Sequence, residues 1–92
     1  MEVIEEFRSL GALFHQDADL YVDMNDEHAV VAYVLDDLDA ASQVALKEFL
    51  AKLLRKKLSA KQLGRLWLST GTDYHFGRLR QFLTLIHDAI PD

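Results

Sequence analysis

The run Asp39-Ala40-Ala41-Ser42-Gln43-Val44-Ala45-Leu46-Lys47-Glu48-Phe49-Leu50-Ala51-Lys52-Leu53-Leu54-Arg55-Lys56-Lys57-Leu58 places Leu46, Phe49, Leu50, Leu53 and Leu54 at i, i+3, i+4, i+7 and i+8. That spacing gathers the apolar side chains on one side of a helix and turns Lys47, Glu48, Lys52 and Lys56 elsewhere. A helix over about Ala40 to Leu58 follows, with Asp39 as a plausible cap. A helix with an apolar stripe this long must bury it against other elements, and the flanking sequence decides what they are.

Downstream, Ser59 and Gln62 have the spacing of a capping box and Leu58 with Leu63 that of a hydrophobic staple, so a further helix starts there. It carries Leu63, Leu66 and Trp67 and ends in Ser69-Thr70-Gly71-Thr72. Asp73-Tyr74-His75-Phe76 is a short, partly apolar connection to a last helix that begins near Gly77, presents Leu79, Leu83, Ile86 and Ile90, and stops at Pro91. Upstream, Val3, Phe7, Leu10 and Phe14 predict a first helix over about Glu2 to His15. Gly11 inside it marks either close backbone packing or a tolerated surface glycine. Gln16 to Met24 loses the helical period, and its aspartates favour turns. Asn25 or Asp26 then caps a second helix to about Leu38, with Val30, Val31, Val34, Leu35 and Leu38 on one side. Ala29 to Leu35 also fits a buried strand by periodicity, but no second strand-like run exists to pair with it. The expectation is an all-α fold: one domain over residues 1–92, a single compact bundle of about five antiparallel helices with short loops.

Half of the residues are hydrophobic, an ordinary globular composition. With no cysteine there is no disulfide, thiolate metal site or cysteine nucleophile. The N-terminus is acidic where a secretion signal needs basic residues, and the longest apolar run, Ala29 to Leu35, is far too short to span a bilayer. These features predict a cytoplasmic protein without a membrane partner.

Charge is divided along the chain. Residues 1–46 hold 11 acids against one base, net −10, and residues 47–92 hold four acids against nine bases, net +5. Between Ser9 and Leu46 there is no Lys or Arg, yet Asp17, Asp19, Asp23, Asp26, Glu27, Asp36, Asp37 and Asp39 all fall there. The plain reading is charge kept for solubility and helix caps, and it surely covers some of them, such as Asp39. The sharper reading is a surface that docks a basic protein, where charge accelerates association and a few buried contacts supply the affinity. Tyr21 and Tyr33 lie in the same region as candidate aromatic anchors.

Other chemistries are poorly written. His15, His28, His75 and His87 are scattered; His15 with Asp17 has the elements of a base and its orienter, but no nucleophile or phosphate-binding loop accompanies them. The chain is therefore expected not to be an enzyme and to need no cofactor. Asp17, Asp19 and Asp23 begin like a calcium loop, but Val22 stands where that loop requires glycine and His28 where it requires glutamate. A transition-metal set of His15, Asp17 and His28 has no recognisable spacing. Lys52, Arg55, Lys56, Lys57, Lys61 and Arg65 form a basic cluster suited to phosphates, without interleaved aromatics. The alternative function is accordingly a small nucleic-acid-related regulator that uses this cluster or imitates DNA through its acids.

Phe14-His15-Gln16-Asp17-Ala18-Asp19 resembles the F-H-Q-D-x-D signature of the small immunity proteins of bacterial contact-dependent growth inhibition systems. The likeness extends to the helix order, the acidic connection between helices two and three, and Gly71-Thr72-Asp73-Tyr74 before the last helix. Ala18 departs from it, standing where many relatives are expected to carry Trp. The resemblance implies a helical cytoplasmic protein that forms a heterodimer with the toxin domain of its own system, commonly a nuclease, and neutralises it by occlusion. Phe14, His15, Gln16 and Asp17 match the signature and are expected to secure the end of the first helix. Partner contacts are expected from Asp17, Asp19, Tyr21, Asp23, Asp26, Glu27, Tyr33, Asp36, Asp37 and Asp39.

Overall fold

The computed structural model describes residues 2–91. Its helices are α1 (Glu5–Ala12), α2 (Glu27–Asp36), α3 (Ala40–Arg55), α4 (Ala60–Leu68) and α5 (Leu79–Ala89), with one 3₁₀ turn over Ala18–Leu20. No strand occurs among the described residues, so Ala29 to Leu35 is helical. The fold is an all-α bundle.

α5 is the centre of the packing: α2, α3 and α4 all lie against it, while α1 packs on α3. The α3–α5 pair is antiparallel, as hydrogen bonds at the two ends of α5 show. Lys47 Nζ near the middle of α3 donates to the carbonyl of Ile90 at 2.6 Å. At the other end Arg80 donates to the carbonyls of Leu54 at 3.3 Å and Leu58 at 2.8 Å. These carbonyls belong to the end of α3 and its exit, where backbone acceptors lack helical partners, so one guanidinium closes both.

The apolar stripe of α3 is buried as its spacing predicts, with Leu46, Phe49, Leu50 and Leu53 inside and Leu54 half-buried. α3 stops at Arg55, short of Leu58, because Lys56 turns extended with φ −73° and ψ 129°. Asp39 caps α3 by accepting from the Ser42 N–H, and Asp26 caps α2 by accepting from His28 and Ala29. Ser59 and Gln62 form the reciprocal capping box. α5 begins at Leu79, not Gly77; the preceding segment instead lays the Phe76 ring on that of Phe82, 4.0 Å between centroids and 8° from parallel. Phe82 is a core residue alongside Leu83, Ile86 and Ile90, whereas Leu79 is half-buried.

α1 is shorter than its apolar spacing suggests, Glu5–Ala12 instead of about Glu2 to His15. Ile4 is extended at its start with no side-chain cap, and after Ala12 the chain leaves the helix so that the Phe14 carbonyl can bond elsewhere. Gly11 explains itself at this end. A Cβ built there would lie 1.8 Å from Thr70 Oγ1 and 2.4 Å from Thr70 Cβ, so α1 approaches the end of α4 at backbone distance. Gly64, within α4, has open space where its Cβ would be.

These two glycines predict opposite outcomes. Gly64→Ala gains helix propensity with no clash and should raise stability by about 0.5–1 kcal/mol. Gly11→Ala gains the same propensity but must displace Thr70, an overpacking cost of about 1–3 kcal/mol, so it should lower stability. Urea unfolding of both variants measures the difference.

Candidate functional site

The end of α1 is built around Phe14. Its side chain is 0% exposed and its ring meets those of Tyr33, Trp67, Tyr74, Phe76 and Phe82, with centroids 5.3–6.2 Å apart. Its carbonyl accepts from the Asp73 N–H at 3.0 Å and from Thr72 Oγ1 at 3.3 Å. Thr72 Oγ1 also accepts from the Tyr74 N–H at 3.2 Å, and Trp67 Nε1 donates to the Tyr74 carbonyl at 2.8 Å. Gly71, at φ +82°, supplies the left-handed turn that brings this strap round. Phe14 and the segment Gly71-Thr72-Asp73-Tyr74, distant in sequence, are thus one joint.

His15 is exposed and its Nδ1 accepts the Asp17 N–H at 3.2 Å, which fixes the ring as a local turn-former. Gln16 is exposed and makes no hydrogen bond among the described residues. The chain then continues through tight turns: Ala18 N–H to His15, Leu20 to Asp17, and both Tyr21 and Val22 to Ala18. Ala18 is buried at 1% exposure and Val22 is half-buried against the core. Between them Leu20 and Tyr21 point outward, 76% and 72% exposed. Leu20 is therefore an apolar member of this surface that the sequence reading passed over.

All eight acids between Asp17 and Asp39 are exposed. Three of them hold backbone: Asp23 accepts the Asn25 N–H at 2.9 Å, Asp26 caps α2 and Asp39 caps α3. The carboxylates of Asp17, Asp19, Glu27, Asp36 and Asp37 accept no hydrogen bond among the described residues, and no Lys or Arg there forms an ion pair with any of the eight. The result is a negative surface left to solvent, with Leu20 and Tyr21 at its apolar tip.

Tyr33 sits differently from Tyr21. Its hydroxyl donates to the Leu13 carbonyl at 2.8 Å and its ring stands edge-on to Phe14, so it ties α2 to the end of α1. Burial raises its phenol pKa, and the negative charges of Asp37 and ionised Tyr21 push it the same way. The backbone N–H of Ser42, followed by its side chain, holds the Asp39 carboxyl below the ordinary range.

The basic residues Lys52, Arg55, Lys56, Lys57, Lys61 and Arg65 are all exposed around the α3–α4 junction. Among the described residues no three His, Cys, Asp or Glu side chains come together as a metal-binding group, so His15, Asp17 and His28 do not gather. No helix is long and apolar enough to cross a membrane among the residues described. The chain matches no family model, and no curated protein or solved structure matches it.

Tyr33 makes a separable prediction. Because the folded phenol holds its proton more tightly than the unfolded one, its contribution to stability is full below the ordinary tyrosine range and lost as pH rises through the raised value. Ultraviolet titration should show one phenol ionising above the ordinary tyrosine range, a late step that Tyr33→Phe removes. The same variant loses the Leu13 bond and should cost about 1 kcal/mol in urea unfolding.

Proposed function

We propose that this chain is an immunity protein of the contact-dependent growth inhibition type, which binds the toxin domain of its own system as a heterodimer and neutralises it by occlusion. The observation that carries the reading is the acidic surface from Asp17 to Asp39, exposed and without a Lys or Arg ion-pair partner among the described residues. A nuclease holds phosphates with cationic groups, so a basic toxin domain of that class is the partner whose charge fits. Such an inhibitor acts in the cytoplasm of the cell that makes it.

Division of labour among the ten candidate contact residues follows from their surroundings. Asp17, Asp19, Glu27, Asp36 and Asp37 steer, because none of their carboxylates accepts a hydrogen bond among the described residues. Tyr21, joined by Leu20, supplies the apolar contact that converts encounter into a lasting complex, since burial of a few large side chains dominates affinity at interfaces. Asp23, Asp26 and Asp39 contribute field while serving the backbone, and Tyr33 holds the platform from below. The two stretches that resemble the family meet at Phe14, an arrangement that supports the reading. An inhibitor of this kind needs no catalytic group or cofactor, only shape and charge.

The test looks for a large secreted protein with a basic C-terminal domain encoded directly upstream of this chain, and uses that domain as the probe. Expressing that domain should arrest growth and co-expressing the chain should restore it. With purified partners, Asp36→Lys with Asp37→Lys should slow association at low salt by roughly tenfold, whereas Leu20→Ala with Tyr21→Ala should chiefly speed dissociation. Failure of the wild-type chain to bind or rescue would sink the reading.

A further inference from the structure

A second surface has the opposite character. Between α4 and the chain entering α5 lies a groove of about 600 Å³. Its floor and walls include Leu63, Gly64, Trp67, Leu68 and Phe76, and Arg78 stands at its rim. The missing side chain of Gly64 leaves the space open, since nothing lies within 4 Å of where its Cβ would be. Leu68 keeps 47% of its surface exposed along the wall. None of the residues lining this groove is acidic. Lys61 and Arg65, exposed and three positions before the groove-lining Gly64 and Leu68 on α4, neighbour its wall on the helix surface.

We propose that this base-rimmed apolar groove receives the Leu20–Tyr21 tip of a second copy of the same chain. The two surfaces are complementary in both respects that matter. The tip is apolar and flanked by Asp17, Asp19 and Asp23; the groove is apolar and flanked by Lys61, Arg65 and Arg78. Of the four large apolar side chains left most exposed, Leu20, Tyr21, Val44 and Leu68, three fall on these two surfaces and would be covered by the one contact. Tip and groove are different patches, so the contact is heterologous: each copy keeps a free tip or a free groove, and assembly extends past the dimer or closes as a ring. The tip is small, which makes the association weak and dependent on charge, and therefore sensitive to salt. This contact stands independently of the toxin-binding reading. Where both hold, a basic partner on the acidic surface competes with self-association for the same tip.

Sedimentation of the full chain from micromolar to millimolar concentration, at low and high salt, tests the contact. The average mass should rise with concentration at low salt, pass beyond the dimer, and fall back in high salt. Gly64→Leu fills the groove at a helical position with room for a side chain, and Leu20→Ser with Tyr21→Ser strips the exposed tip. Each should stay monomeric while keeping the wild-type circular dichroism, and Gly64→Leu should melt no lower than the wild type. Mixed in equal amounts, the two variants should associate again, because one retains its tip and the other its groove, and should stop at the dimer. A chain that is monomeric under all conditions overturns the proposal. So does an association that survives either variant, or variants that fail to complement each other. Gly64→Leu should leave toxin binding unchanged, so a failure of the toxin reading is told apart from a failure here; a Gly64→Leu chain that loses toxin binding with no change in mass assigns the groove to that partner and overturns the self-contact.

Discussion

Phe14 anchors the molecule through ring and backbone together. The ring is enclosed by five other aromatic rings drawn from α2, α4, α5 and the connection between α4 and α5. A buried aromatic of this kind carries a large apolar area, with edge and face contacts adding to it. The carbonyl of the same residue takes the N–H of Asp73 and the hydroxyl of Thr72, groups that belong to a segment without helical bonds of its own. Buried backbone groups must be paired somewhere. The end of α1 and the strap after α4 satisfy each other, and that exchange fixes where the exposed loop beyond His15 begins.

The fold was legible where local chemistry and packing agreed. The stripe of α3, the caps Asp26, Asp39 and Ser59, and the stop at Pro91 are written in neighbouring residues and were found there. What escaped notice depends on distant partners. Nothing near Phe14 reveals that its carbonyl turns toward Thr72, so α1 looked longer than it is. Arg80 reads as a surface base, yet it closes the end of α3 from another helix. Gly11 left two readings open, and the proximity of Thr70 decides between them. Leu20 resembles any apolar residue until Ala18 and Val22 are seen to take the inward places on either side.

Among the described residues, none of the eight acids between Asp17 and Asp39 forms an ion pair with a Lys or Arg. Arg80 donates to backbone carbonyls, and Arg78 lines a groove that has no acidic lining. Intramolecular pairing would have gained little, because exposed ion pairs contribute at most about 1 kcal/mol. An acidic surface without such pairs keeps a field that acts beyond contact distance, out to about 10 Å at moderate salt.

The turns from His15 to Asn25 have a thermodynamic consequence. Backbone bonds close on Ala18, the His15 ring holds Asp17, and Asp23 holds Asn25, while Ala18 roots the segment in the interior with the smallest side chain that can do so. The loss of chain freedom in this segment is therefore borne when the protein folds. Fixing one residue's backbone costs roughly 1–2 kcal/mol, and an unstructured loop would owe that sum again at each encounter with a partner. A tip already set in shape meets its partner with most of that entropy spent, so two exposed side chains suffice where a disordered segment would need many more.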